Sequence, residues 1–104
     1  MNSEPCIKVL KALADETRWR IVGQLLCAPL AMSALAERLD ISAYNISKHV
    51  RILREAGIVR TRKEGKNVEC EITPELRQKL SADKSALDLG CCTFRFDKKA
   101  KCRC

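Results

Sequence analysis

The sequence predicts a mostly α-helical fold with one β-hairpin, arranged as a winged helix-turn-helix. Two observations predict it. Apolar residues recur at helical spacing in four segments between residues 5 and 56, and the last two segments are joined by a short connection. Two runs that alternate with period two follow, at 59–63 and 68–72, with Gly65 midway. Since 104 residues leave room for one domain, these elements should share one core.

The first two helices are predicted from spacing and capping residues. In the segment 5–14, Cys6, Val9 and Leu13 recur every three or four residues. Asp15 is a typical N-cap for a second helix, which Pro29 closes because proline cannot continue a helix.

The helix-turn-helix is predicted from the next segment. Ser33 is expected to cap a short helix, and Ser42 to cap a longer one that ends near Gly57. Asp40 and Ile41 form the connection. A hairpin with its tip at Gly65 then makes the wing.

The longer helix has an apolar face, carrying Ile46, Val50 and Leu53, and an opposite polar face. Residues 41–66 hold seven basic and two acidic residues, whereas residues 1–40 sum to zero charge, and such a local basic stripe is typical of nucleic-acid binding. An ordinary solvated surface helix is the alternative. The candidate DNA-binding residues are Ser42, Tyr44, Asn45, Ser47, Lys48 and Arg51 on the helix, and Arg62, Lys63 and Lys66 on the wing.

The chain after the wing has a less regular apolar pattern. Thr73 and Pro74 should begin a further helix, which the pattern of leucines extends to about Leu87 or Leu89. We expect residues 1–90 to form the DNA-binding and dimerisation domain, and residues 91–104 to form a cysteine-rich basic tail. In that tail, Cys92, Phe94 and Phe96 alternate with polar residues, a pattern also typical of a half-buried strand.

Two stretches of the chain resemble the ArsR/SmtB family of metal-sensing repressors: "LADETRWRIVGQLL" and "SALAERLDISAYNISKHVRILREAGIVRTRKEGK". The resemblance implies a winged-helix homodimer on double-stranded operator DNA, released by a metal or metalloid. His49 fits the family's pattern in the recognition helix; as the only histidine, with no cysteine or carboxylate nearby in the sequence, it is interpreted as packing or contacting phosphate instead of binding a metal. Two familiar family sites are missing, because "MSALAERLD" has no cysteine and the predicted last helix has no histidine. The chain is most similar to arsenite sensors that carry an adjacent cysteine pair near the C-terminus.

Seven cysteines support a thiol sensor. No signal peptide or membrane span is visible, so we expect a cytoplasmic protein with reduced thiols and no membrane contact. The predicted ligands are Cys91, Cys92, Cys102 and Cys104. Thiolates select soft ions; As(III) or Sb(III) would take three of them, while cadmium, lead and zinc remain alternatives. Nearby lysines and arginines favour the thiolate.

Other functions stay open at this point. Oxidation of the same thiols would give a redox-sensing repressor. A thiol-rich metal buffer is the alternative of another class, although it has no use for a helix-turn-helix. No catalytic motif is evident, so we expect no enzyme and no organic cofactor. Cys6, Cys27 and Cys70 lie on apolar stripes and are expected to pack in the core, although a mobile N-terminus would bring Cys6 to a partner's tail.

Overall fold

The computed structural model describes residues 4–82, 86–90 and 93–96. Five helices and five strands lie in this part of the chain. The helices are α1 (Glu4–Leu13), α2 (Glu16–Leu25), α3 (Met32–Leu39), α4 (Ala43–Glu55) and α5 (Pro74–Arg77). The strands are β1 (Leu30–Ala31), β2 (Val59–Glu64), β3 (Asn67–Ile72), β4 (Ala86–Asp88) and β5 (Thr93–Arg95). The predicted fold class, a winged helix-turn-helix, is confirmed.

The caps at the helix ends follow the sequence with one exception. The Asp15 carboxylate accepts a hydrogen bond from the Arg18 backbone N–H at 3.0 Å, which satisfies one of the free donors at the start of α2. The Ser42 hydroxyl accepts one from the Asn45 N–H at 3.2 Å at the start of α4. The prediction for Ser33 is wrong, because α3 already begins at Met32 and its N-cap is Ala31, which forms no side-chain cap hydrogen bond.

The turn between α3 and α4 depends on a left-handed residue. Asp40 has φ 56° and ψ 48°, and its backbone N–H donates to carbonyls at the end of α3. Aspartate tolerates this conformation better than most residues other than glycine. The reversal brings α4 across α3 and lets both helices bury leucines in one core.

The sheet of the wing has three strands in the order β1-β3-β2, all antiparallel. The hairpin β2–β3 pairs Val59 with Ile72 and Glu64 with Asn67, so Gly65 and Lys66 form a two-residue loop. Gly65 has φ 62°, which glycine adopts without strain. The short strand β1 was not predicted; it pairs Leu30 with Cys70 and ties the sheet to the start of α3.

One aliphatic core joins the helices to the sheet. It is built from fully buried side chains that include Ile21, Leu25, Leu35, Ile46, Leu53, Ile58 and Ile72. The apolar face predicted for α4 therefore points inward. Burial of such a side chain stabilises the folded state by about 1.5–3 kcal/mol.

The predicted extension of the last helix is wrong. α5 ends at Arg77, and Ala86–Asp88 instead forms β4, which pairs antiparallel with β5. Leu87 is buried and forms an isolated bridge with Leu80, which folds the segment back. The strand pattern of the tail is confirmed for Thr93–Arg95. The expected boundary at residue 90 thus falls inside the β4–β5 hairpin.

Candidate nucleic-acid interface and sensing cysteines

The polar face of α4 is exposed to solvent along its first three turns. Tyr44 is 72% exposed, and Asn45, Ser47 and Lys48 are exposed beside it. The opposite face is buried in the core, so α4 is held rigidly with its polar residues outward. A helix presented in this way can enter a major groove and read base edges with its N-terminal residues.

Two basic residues of α4, Lys48 and Arg51, differ in the side chains that they contact. The Lys48 ammonium lies over the ring of Tyr44, 5.4 Å from the centroid, as expected for residues one turn apart. Arg51 forms an ion pair with Glu55 at 3.6 Å, and both side chains are mostly exposed. An exposed pair of this kind contributes little stability, so Arg51 can exchange it for a phosphate at small cost.

Ser42 has a structural role as well as a predicted binding role. Its hydroxyl already accepts the hydrogen bond from Asn45 that caps α4. The hydroxyl hydrogen is still a donor, so Ser42 can cap the helix and contact an acceptor at once.

The wing presents two kinds of basic residue. Arg62 donates to Glu69 at 2.8 Å and lies 3.6 Å from Glu64, and these carboxylates raise its pKa. Lys63 and Lys66 are exposed, and within residues 4–82, 86–90 and 93–96 they form no ion pair. The two lysines at the tip are therefore better placed than Arg62 for phosphate contact.

A charged cluster at the base of the wing was missed by the sequence reasoning. Glu71 is 8% exposed and accepts a hydrogen bond from the Arg60 guanidinium, while Arg77 lies 3.9 Å away. The hydrogen bond from Arg60 holds the pKa of Glu71 below its usual value. Alternation of charge along β2 and β3 was the available signal. This pairing fixes the register of the hairpin at the end farthest from its tip.

A polar contact links α4 to the corner between α1 and α2. The Arg18 guanidinium lies 3.3 Å from His49 Nδ1, and the Asp15 carboxylate lies 3.8 Å from the same nitrogen. Arg18 also donates to the carbonyl of Ala12. His49 therefore packs as predicted, but beside a carboxylate that the sequence did not place there. The hydrogen bond from Arg18 N–H is the main cause of the lowered pKa of Asp15.

The three cysteines outside the C-terminal tail differ in burial and in bonding. Cys70 is a buried free thiol on β3, as predicted, and burial raises its pKa to about 11. Cys6 and Cys27 are only half-buried and both are disulfide-bonded. The prediction that these two are ordinary core residues is therefore wrong, because an apolar stripe on a short helix does not reveal what lies beside its ends.

The predicted metal ligands Cys91, Cys92, Cys102 and Cys104 lie outside the described residues. In the part of the chain that is described, no three His, Cys, Asp or Glu side chains are arranged to hold a metal ion. That part also contains no helix of the length and apolarity needed to cross a bilayer.

A family model described as a helix-turn-helix domain matches residues 13–62. The chain is 40% identical over 67 residues to the transcriptional activator HlyU of Vibrio cholerae, covering 64% of this chain and 62% of HlyU. It is 41% identical over 71 residues to the arsenical resistance operon repressor of Escherichia coli, covering 67% of this chain and 61% of the repressor.

Solved structures agree with this match. The crystal structure of an ArsR family transcriptional regulator superposes with a TM-score of 0.64 at 33% identity, covering 72% of this chain and 77% of that one. This chain belongs to the ArsR family. A homodimeric winged helix-turn-helix DNA-binding domain from Mycobacterium bovis superposes with a TM-score of 0.67 at 27% identity, covering 71% of this chain and 68% of that one.

The chain spans about three-fifths of the length of these two curated relatives. The family match at 13–62 covers α2, the helix-turn-helix and most of β2. The family match ends before the β4–β5 hairpin. The role of the C-terminal segment in this ArsR-family chain must therefore be inferred from its own residues.

Proposed function

We propose that the chain is a homodimeric repressor that binds operator DNA through α4 and the wing. The observation that carries this is the division of α4 into two faces: Ile46, Val50 and Leu53 are buried in the core. The opposite face presents Tyr44, Asn45, Ser47 and Lys48 to solvent. Arg54 at the end of α4 donates to Thr61 at 3.1 Å. That hydrogen bond sets the wing relative to the helix, as simultaneous contact with a groove and the adjacent backbone requires.

A homodimer is supported by the surface of α1. Ile7 is 47% exposed and Leu10 is 44% exposed. Ile7 and Leu76 line a mostly apolar groove beside this surface. The homodimeric neighbour from Mycobacterium bovis favours the same assembly. Two copies on a pseudo-palindrome would each supply one recognition helix, and analytical ultracentrifugation at micromolar concentration tests this. A monomer with and without DNA would contradict it.

We further propose that As(III) or Sb(III) binds thiolates of the C-terminal tail and releases the DNA. The dense thiol cluster of the tail and the arsenical resistance repressor among the relatives support this. Such an ion must bind the DNA-free form more tightly, by about 1–3 kcal/mol or more. The hairpin β4–β5 stands where a longer last helix was expected. Its packing on α2 suggests that the signal enters the core there.

The test is fluorescence anisotropy of a labelled operator, titrated with arsenite, antimonite, cadmium and zinc. Replacing both Cys91 and Cys92 by serine should leave DNA binding intact and abolish release by arsenite. Cys70→Ala is the matched control, because Cys70 is buried as a free thiol and should not participate. Release of the double variant at the wild-type arsenite concentration would contradict a sensor in the tail.

The DNA interface has its own test. Lys66→Ala should weaken binding to all duplexes equally and lower the slope of log K against log salt by about one. Asn45→Ala should cost about 1–3 kcal/mol at particular base pairs only. Lys79→Ala, an exposed lysine outside α4 and the wing, is the control. An unchanged salt slope for Lys66→Ala would mean that the wing tip does not meet phosphate.

Oxidation is the second candidate signal, favoured by the disulfide-bonded Cys6 and Cys27. Two thiols would lose two protons and two electrons to a peroxide, which is reduced to water, and form a disulfide. Release of the operator by peroxide but not by arsenite would identify this signal. A reporter gene assay decides the sign of regulation, since one relative is named an activator and another a repressor.

A further inference from the structure

One arginine side chain joins three helices. Arg18 lies in the first turn of α2, and its guanidinium donates through Nε to the backbone carbonyl of Ala12 in the last turn of α1. A second nitrogen of the same group, Nη1, lies 3.3 Å from Nδ1 of His49 on α4. The relative positions of α1, α2 and α4 therefore depend on contacts made by this side chain.

Both acceptors suit an arginine. The last four carbonyls of an α-helix have no partner within the helix, and Ala12 is the last residue but one of α1. A cation at this end is also favoured by the helix dipole. Arginine can only donate, so the contact with His49 requires Nδ1 to accept and the proton of the neutral ring to lie on Nε2.

The arginine is itself held in place. Its backbone N–H donates to the Asp15 carboxylate, which lies 3.8 Å from Nδ1 of His49. Arg18 is half-buried and the His49 side chain is 25% exposed, so water competes only partly for these contacts. The guanidinium is planar and its donors point in fixed directions, so two hydrogen bonds from it fix both acceptors relative to each other.

These acceptors belong to the two helices on which operator binding by a dimer depends. The exposed apolar surface proposed to form the dimer lies on α1. His49 lies between the exposed Lys48 and the buried Val50, at the border between the DNA-facing side of α4 and the core. The angle between α1 and α4 in each protomer therefore sets the separation of the two recognition helices.

We propose that Arg18 is a positioning residue, which fixes α4 relative to α1 and so sets the half-site separation that the dimer accepts. This inference rests on the proposed function, since it requires a dimer whose α4 helices enter the DNA. Loss of the arginine should leave each protomer able to bind one half-site. It should remove the preference for one separation of two half-sites.

The first test measures anisotropy with the operator, the operator with one base pair inserted between its half-sites, and a single half-site. The insertion rotates one half-site by about 35° and moves it by about 3.4 Å. Wild type should prefer the operator to the inserted duplex by about tenfold, and Arg18→Met should reduce this ratio below about threefold. Half-site affinity should change by less than about twofold. Arg20→Met, at an exposed arginine on α2, is the matched control and should keep the wild-type ratio.

Arg18→Lys separates geometry from charge. Lysine keeps the positive charge but lacks the planar set of donors, so this variant should lose the preference as Arg18→Met does. A wild-type ratio in Arg18→Lys overturns the proposal. Equal losses on the operator and the half-site in Arg18→Met also overturn it, because a general loss of folded protein would have that effect.

His49→Leu removes the acceptor on α4 and leaves the contact between Arg18 and Ala12 in place, so it does not depend on how the arginine variants fold. It should lower the ratio, and adding Arg18→Met should change it by less than about twofold more. Independent, additive effects overturn the proposal. If wild type does not bind the operator, the proposed function fails; if it binds and Arg18→Met keeps its spacing preference, only the positioning role fails. A wild type without a spacing preference also overturns the positioning role.

Discussion

Replacing Phe96 by alanine should release the hairpin from α2 without unfolding the domain. Phe96 contributes its buried phenyl ring and its stack on Trp19. Burial of the ring is worth about 1.5–3 kcal/mol and the aromatic pair about 0.5–1.5 kcal/mol more. The expected loss is therefore about 2–4.5 kcal/mol, concentrated at one edge of the structure.

This loss of stability is large for the β4–β5 hairpin. β4 and β5 form a sheet of two strands with three residue pairs, and an isolated two-stranded hairpin is marginal in water. The residues of α1 to α4 that pack around Ile21, Leu35 and Leu53 do not depend on it. We therefore expect local detachment of the hairpin and retention of the helix-turn-helix.

Trp19 is the only tryptophan in the chain, so its fluorescence reports directly on the hairpin. In Phe96→Ala the indole should become more exposed to water, and its emission should shift to longer wavelength. Operator affinity without inducer should stay within about twofold, while release by arsenite weakens. Phe94→Ala is the matched control, because Phe94 is only half-buried and meets the indole edge-on; its effect should be smaller. An emission spectrum of Phe96→Ala identical to wild type would refute the stacking argument.

Three further predictions concern the body of the domain. The hydrogen bond from Arg60 lowers the pKa of Glu71 below its usual value. Stability that this interaction contributes above the usual pKa of a glutamate should be lost as pH falls through the lowered pKa, so urea melts of Glu71→Gln should show a shallower acid dependence. Asp40→Gly should raise the free energy of unfolding by about 0.5–1 kcal/mol, because the ~1–2 kcal/mol of left-handed strain relieved exceeds the ~0.5–1 kcal/mol of chain entropy that glycine loses; a lower urea midpoint would contradict this. His49→Leu cannot accept a hydrogen bond from Arg18, whereas His49→Gln can, so the leucine variant should weaken operator binding more. Equal anisotropy curves for the two variants would show that this contact does not contribute to DNA binding.

Much of the helix-turn-helix was readable from the sequence because its signals are local. The cap at Asp15, the cap at Ser42 and the glycine at the tip of the wing each act within four residues of their position. The apolar stripe of α4 is likewise a property of one helix. For these elements local preference and the final fold agree, and the residues proposed to contact DNA were found exposed on the expected face.

The sequence did not determine where the C-terminal segment packs. A short apolar run such as Ala86–Leu87 suits a helix or a strand equally, and its state is decided by the partner strand that begins at Thr93. The pair of Leu30 with Cys70 likewise joins residues 40 positions apart, which no local pattern encodes. Tertiary structure alone brings Phe96 onto Trp19 and against Gly23. Contacts between distant residues depend on which helix and strand surfaces fit together in the folded core. The periodicity of apolar residues along the chain shows which face of one element is apolar, but not which other element packs against it.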